Sequence, residues 1–317
     1  MEWPLLRVLR SRAGNFISEE ELCRTLGITQ ERLRQLVKSL KARGFLIKFD
    51  PSRGYRIAEV DDLGDTTTIL EDLDTRLCFT LLYFDEVSST QDVAKGLPVS
   101  VRREGLVVIA ERQSRGRGRF GRKWFSEPGG LWLTVVLKPT VSACRLGVLS
   151  LMSGLVIAKS IRDITGLQAQ VKWPNDVLIG GRKVAGVLIE ATVESDLVTE
   201  AFVGIGINVN NEVPEELRHE VITLKEAMCS SIPRVWLLRA LLRNLDHYYE
   251  AFQGGRYISV VDEWKAYSCT LNRRVTAILP TGSIEGTAVD VDDYGRLILL
   301  TKAGLVRVDV YEVIHLR

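Results

Sequence analysis

Nine consecutive residues, Gly116-Arg117-Gly118-Arg119-Phe120-Gly121-Arg122-Lys123-Trp124, carry four cations and three glycines. Glycine lets backbone N–H groups approach a ligand closely, and arginine offers a planar fork that fits phosphate or carboxylate. The stretch lies between the apolar runs Leu106–Ala110 and Leu131–Leu137 and reads as a cationic loop joining two strands. Such a loop is either an anion site or a solvated basic loop that binds RNA or nothing, because a short Gly/Arg motif is a weak signal alone. Upstream, the strand-like Leu81–Phe84 runs into Ser88-Ser89-Thr90-Gln91-Asp92, a helix start whose hydroxyls are either free or spent on N-capping. The three histidines, His219, His247 and His315, have no partners at metal-ligand spacing, and no serine lies in G-x-S-x-G. Zinc hydrolysis and a serine triad are therefore disfavoured.

The elements that must position these residues are drawn from a chain of 317 residues, long enough for two or three domains. It is 46% hydrophobic and 26% charged, with a net charge of +2 that directs it to no single class of partner. The cysteines, Cys23, Cys78, Cys144, Cys229 and Cys269, are scattered singly, and Met1 is followed by no basic-then-apolar leader. This pattern predicts a reduced, cytoplasmic protein. No run approaches the ~20 apolar residues that span a membrane, so no membrane partner is expected. The longest apolar run, Leu146–Ala158, contains Gly147, Ser150, Ser153 and Gly154 and predicts a buried helix.

Residues 1–57 read as a winged helix-turn-helix. Ser18 and Glu21 fit a capping box, each satisfying a backbone N–H at a helix start. Thr29 caps a second helix, whose Leu33, Leu36, Val37 and Leu40 follow i, i+3, i+4, i+7 spacing. Its other face presents Gln30, Arg34, Gln35, Lys38 and Lys41, residue types that reach base edges and phosphates. Phe45–Phe49 and Tyr55–Ile57 flank a turn and make a wing. Through residue 57 the chain holds 12 Lys/Arg against 6 Asp/Glu, while the whole chain is only +2. That basic excess points to DNA binding, with a scaffold or dimer contact as the alternative. Acidic, Thr-rich residues from Val60 to Asp74 form a linker that runs into a short helix.

From about residue 77 to 268, strand-like runs alternate with helical stretches, a mixed α/β pattern. Gly180-Gly181 supplies the positive φ angles of a two-residue hairpin turn between Val177–Ile179 and Lys183–Glu190, which puts Lys183 near the head of a strand. Ala201–Asn210 reads as a further strand in which Gly204 and Gly206 leave room for a ligand. Helices are expected near 233–252 and 256–267. Short strands punctuated by turns fill residues 270–317, the pattern of a small β-barrel.

Three separated motifs, taken together, resemble the signature of biotin protein ligases: the glycine loop 116–124, Lys172-Trp173-Pro174-Asn175-Asp176, and Gly204-Ile205-Gly206-Ile207-Asn208. Ser89-Thr90-Gln91 and Arg182-Lys183-Val184-Ala185-Gly186 add to the resemblance, which covers nearly the whole chain. It resembles the bifunctional ligases that double as biotin operon repressors. The implied architecture is α+β and multidomain: a winged helix-turn-helix (1–60), a linker (61–76), a mixed α/β ligase domain (77–268) and an SH3-like β-barrel (269–317).

The resemblance implies that biotin and ATP form biotinyl-5′-adenylate and that the acyl group passes to a lysine of a biotin carboxyl carrier domain. Lys183 and Arg119 are then the catalytic cations. Ser89, Thr90, Gln91, Gln113, Arg117, Gly118, Arg119, Lys183, Gly186 and Gly204 line the biotin side. Trp124, Asn175, Asp176 and Asn208 lie on the ATP side, and Asp176 is the carboxylate for Mg²⁺. The DNA-binding residues are Ser18, Thr29, Gln30, Arg34, Gln35, Lys38 and Lys41, acting on operator DNA in a ligand-promoted homodimer. Residues 211–223 replace a family loop that folds over the adenylate but contain no tryptophan, so adenine is expected to pack on Trp124 or Leu224. Tyr311-Glu312-Val313 stands where Gly-Glu-Val is expected, so Tyr311 is expected to crowd or reshape a turn. The glycine loop itself becomes a flap, ordered by biotin or its adenylate. Two other readings differ in chemistry: a ligand-sensing DNA-binding regulator without catalysis, and a lipoate or octanoate ligase relative.

Overall fold

A computed structural model describes residues 2–12, 14–59 and 61–316. It opens with three helices, α1 (Glu2–Ser11), α2 (Glu19–Leu26) and α3 (Gln30–Ala42), and a two-stranded antiparallel sheet, β1 (Ile47–Asp50) and β2 (Gly54–Ile57). Leu33, Leu36, Val37 and Leu40 of α3 are buried, following their helical spacing. Ser18 and Thr29 cap α2 and α3, accepting the N–H groups of Glu21 and Arg32 at 3.2 Å. The Glu21 carboxylate does not complete the expected capping box; it pairs with Arg12 at 2.6 Å. On the outer face of α3, Gln30, Arg34, Gln35 and Lys38 are exposed, and Glu19 holds Arg34 at 3.2 Å. Lys41 departs from that expected group. It lies in the last turn of α3 and pairs at 3.2 Å with Asp72 of the acidic connecting segment.

That segment is packed rather than free. It carries α4 (Thr66–Leu70). Arg239, only 2% exposed, donates to the carbonyls of Ile69 and Glu71 at 2.6 and 2.7 Å. Arg234 pairs with both Asp61 and Glu111, at 3.2 and 2.8 Å.

The central sheet contains β3 (Thr80–Val87), β4 (Leu106–Gln113), β5 (Leu131–Leu137), β6 (Val141–Ser142), β7 (Gln170–Lys172), β8 (Asp176–Ile179), β9 (Arg182–Glu194) and β10 (Leu197–Ile207). Its order is β3-β4-β5-β10-β9-β8-β7, with β6 beside β10. Gly180 and Gly181 make the β8–β9 turn with φ of 57° and 80°. The strand expected at Ala201–Asn210 runs from Leu197 to Ile207 instead. It starts earlier because Ser195 and Asp196 take positive φ without any glycine, at 47° and 71°, and close a β9–β10 hairpin. Five helices complete this unit: α5 (Thr90–Gly96), α6 (Leu146–Thr165), α7 (Leu224–Met228), α8 (Arg234–Gln253) and α9 (Tyr257–Tyr267). α6 is long and apolar enough to cross a membrane, but 78% of its most apolar window is buried in the protein.

The chain ends in a five-stranded antiparallel sheet: β11 (Arg274–Leu279), β12 (Gly282–Val291), β13 (Leu297–Thr301), β14 (Gly304–Val308) and β15 (His315–Leu316), in the order β14-β13-β12-β11-β15. Tyr311 does not crowd its turn, since its φ is not positive and its side chain is 47% exposed. Both outer units rest on α6. At its far end Trp3 packs against Gly166, and Arg43 donates to the Asp163 carbonyl. At its near end a Cβ on Gly147 would strike the Tyr294 carbonyl oxygen, and one on Gly295 would stand 2.7 Å from the carbonyl carbon of Gly147. Gly147→Ala is therefore expected to destabilise the protein by about 1–3 kcal/mol through overpacking. A lowered thermal midpoint by circular dichroism checks this; an unchanged midpoint contradicts the close backbone approach.

Candidate functional site

Side chains alternate along a strand, so register assigns each residue to a face. Gly204 lies between Thr134 and Leu188, and Gly206 between Trp132 and Gly186. All six share one face. Val203, Ile205 and Ile207 turn to the other, where they are buried in the same core as α6. On the first face α5 covers one end, with Ala94 and Phe202 in a small apolar cluster. Three missing side chains, at 186, 204 and 206, leave a hollow beside it. The result is a cavity of about 360 Å³, within the ~300–1,000 Å³ range of small-molecule sites. All fourteen residues assigned from the sequence to the biotin and ATP sides line this cavity.

A polar cluster sits where α5 begins. Ser89 is the residue before the helix and is 2% exposed, but its hydroxyl makes no capping bond. It faces the cavity unspent. The Thr90 N–H donates to Gln113 Oε1 at 2.8 Å, and the Thr90 and Thr134 hydroxyls are 2.8 Å apart. Gln113 Nε2 donates to Ser126 Oγ at 2.9 Å, which fixes the direction of its amide. Gln91 Nε2 donates to Glu190 Oε2 and Phe202 O at 3.1 and 3.2 Å.

The glycine loop folds over this face as an irregular hairpin. Gly118 N donates to Arg122 O at 2.7 Å, and Trp124 N to Gly116 O at 2.9 Å. Arg117 pairs with Asp92 at 2.7 Å and with Glu190 at 3.2 Å. The Asp92 carboxyl is held below its usual range by its hydrogen bond with Arg117. Arg119 reaches the other way and donates to the carbonyls of Val313, at 2.8 Å, and Val310. Burial lowers the pKa of its guanidinium, opposed by the charge of Asp176. The loop thus bridges α5, β9 and the segment that joins β14 to β15. Trp124 fills the hollow: a Cβ on Gly206 would stand 2.6 Å from its Nε1, and one on Gly186 3.1 Å from its ring.

Lys183 Nζ lies 5.0 Å from the centre of the Trp124 ring and 2.6 Å from Asp176 Oδ1. An ammonium on an aromatic face beside a carboxylate is held in one place at the cavity wall. Asn175 Nδ2 donates to Val187 O at 2.7 Å, and Asn208 Oδ1 accepts from Asn211 Nδ2 at 3.1 Å. Residues 211–223 run alongside: Lys183 N donates to Glu220 O at 2.7 Å, and Ile222 N to Lys183 O at 2.9 Å. Val213, Pro214, Leu217 and Val221 from this segment reach the cavity. Leu224 does not; it is fully buried at the start of α7 and belongs to the core. Of the two residues expected under adenine, Trp124 alone is on the wall.

The family profile described as Biotin/lipoate A/B protein ligase family matches residues 83–208, and the Biotin protein ligase C terminal domain profile matches residues 270–316. A protein of Bacillus subtilis named bifunctional ligase/repressor BirA is 31% identical over 306 residues, covering 95% of this chain and 94% of its own length. The chain belongs to the biotin protein ligase family. The Escherichia coli protein of the same name is 31% identical over 307 residues, covering 96% of this chain and 94% of its own. Among solved structures, biotin protein ligase from Aquifex aeolicus in complex with biotin and ATP matches with a TM-score of 0.67 and 33% identity. It covers 75% of this chain and 98% of that one.

For this member of the biotin protein ligase family, motif reading missed the residues that support the lining: Ser126, Thr134, Asn211 and Glu190. Glu190 was within reach, because it lies four residues beyond Gly186 on the same strand and so on the same face. The seating of Trp124 is directly testable. Gly206→Ala is expected to lift the indole toward solvent and shift tryptophan emission to the red, with no such shift in a Trp124→Phe background.

Proposed function

We propose that this chain joins biotin to ATP, releasing pyrophosphate, and transfers the biotinyl group from biotinyl-5′-adenylate to a lysine of a biotin carboxyl carrier domain. The observation that carries this reading is one cavity in which the unspent Ser89 hydroxyl stands beside the oriented Gln113 amide and the fixed ammonium of Lys183. In the first step a carboxylate oxygen attacks the α-phosphate and pyrophosphate leaves. Two anions must meet, so the site needs positive charge where they do. Lys183 supplies it, with Arg119 on the loop above. In the second step the acceptor amine attacks the acyl carbon, loses a proton, and AMP departs. No enzyme nucleophile is needed. Closure of the glycine loop keeps water from the adenylate.

Mg²⁺ is compatible with the wall. Among the described residues no cluster of three or more His, Cys, Asp or Glu exists to cage a metal. Mg²⁺ favours one or two carboxylates plus phosphate oxygens, and Asp176 is the carboxylate that would hold it, neutralising phosphate charge.

The same polar cluster favours biotin over a plain acyl chain. A ureido head can pair with the Ser89 hydroxyl, whereas a lipoyl or octanoyl chain would leave that group unpaired at roughly 1–3 kcal/mol. The relatives named ligase/repressor and the basic N-terminal unit support a second role for this chain, biotin-responsive repression. In this reading residues 1–60 form a winged helix-turn-helix, 61–76 the connector, 77–268 the ligase unit and 269–317 an SH3-like barrel. The exposed face of α3 meets operator DNA, with Arg34 pre-oriented by Glu19, in a homodimer promoted by the adenylate. Ser18 and Thr29 act through their caps, and Lys41 is set back by Asp72. The free cysteines agree with a cytoplasmic setting.

Biotin-dependent ATP–pyrophosphate exchange tests the ligase. Wild type is expected to exchange label and Lys183→Ala to be slower by roughly a hundredfold; absent exchange in wild type, or full activity in the variant, refutes the assignment. For the DNA role, Lys38→Ala is expected to weaken binding across sequences and to reduce the salt slope by about one. Titration of operator fragments at several salt concentrations measures it, and an unchanged slope removes Lys38 from the interface.

A further inference from the structure

Gln91 is 4% exposed, and its side-chain nitrogen is within hydrogen-bond distance of three oxygens. These are Glu190 Oε2 at 3.1 Å, Phe202 O at 3.2 Å and Leu188 O at 3.4 Å. Only a donor satisfies three acceptors, two of them backbone carbonyls, so the amide can point one way. Its Oε1 is then left buried with no hydrogen-bond partner in the protein. This orphan acceptor lies above the glycine floor: a Cβ on Gly204 would meet it at 3.3 Å. A buried unpaired acceptor on a cavity wall costs free energy unless a ligand N–H completes it.

Glu190 ties this amide to the rest of the site. Besides Gln91 it takes Arg117 of the glycine loop at 3.2 Å and Lys95 of α5 at 3.5 Å. One half-buried carboxylate on β9 thereby registers the loop, the helix and the amide against the sheet. We propose that Glu190 is a positioning residue for the head of the ligand: it holds Gln91 so that Oε1 accepts a ureido N–H, and it holds Arg117 so that the loop closes over the same head. The inference rests on the biotin-ligase reading above and adds the specificity element to it.

The test measures biotin binding by calorimetry and pyrophosphate-exchange kinetics on full-length wild type, Glu190→Ala, Glu190→Gln, Gln91→Leu and the Glu190→Ala/Gln91→Leu double variant. Glu190→Ala is expected to raise the biotin Kd and KM about tenfold while leaving the KM for ATP within twofold. Glu190→Gln keeps an acceptor for Gln91 and is expected to fall between wild type and Glu190→Ala. The double variant is expected to lose less than the product of the two single losses, because one residue acts partly through the other. A biotin Kd unchanged in Glu190→Ala, an equal rise in both KM values, or full multiplicativity overturns the proposal. Wild type that binds biotin without exchanging label would defeat the ligase reading alone, and the Kd series would still decide the role of Glu190. Wild type that binds no biotin overturns both.

Discussion

The site depends on a local absence of side chains. β9 and β10 pair Gly186 with Gly206 on one sheet face, and Gly204 extends the row toward α5. Sheet faces in a protein interior are normally packed to near-crystalline density. Here the Trp124 indole of the glycine loop occupies the space over Gly186 and Gly206, and the open cavity lies beside it, with α5 at one end and residues 211–223 along the side. Chemistry is then supplied from the rim. Hydroxyls and amides come from α5 and β4, and cations from the loop and the head of β9.

This arrangement explains why polar residues of such different sequence position converge. A strand contributes to one face only every second residue, so a wall made from β4, β5, β9 and β10 must sample all four. Ser89 and Thr90 reach it because the helix that carries them is anchored by Ala94 and Phe202, not by a cap on Ser89. The anchoring leaves a hydroxyl free that helix propensity alone would have consumed. The Lys183 ammonium is similarly constrained by a pair of contacts, Trp124 beneath and Asp176 beside it, so its charge is held in one place at the cavity wall.

Much of this was legible in the sequence, and what was not has physical reasons. Helical spacing in α3 and the paired glycines of the β8–β9 turn are local signals and were readable as such. The β9–β10 hairpin was less so, because Ser195 and Asp196 adopt positive φ where glycine would have announced a turn. Contacts between distant segments left no local trace: Lys41 with Asp72, Arg119 with the carbonyls of 310 and 313, and Arg234 with Asp61 and Glu111. α1 was also unread. Its Leu5, Leu6 and Leu9 are buried at helical spacing, and Pro4 falls in the first turn, where a missing N–H costs no intrahelical bond. Leu224 looked available for a ligand and is core, because hydrophobicity in sequence does not distinguish a wall from the layer behind it.

α6 has a geometric consequence for the whole molecule. Its 20 residues rise about 30 Å, at 1.5 Å each. The N-terminal unit rests near Gly166 and the C-terminal sheet on Gly147, so one helix acts as a ruler between them. A single inserted residue would lengthen it by only about 1.5 Å but would turn one end by about 100° relative to the other. One of the two seats would then face the wrong way. The residue count of this helix is thus as much a part of the architecture as its composition.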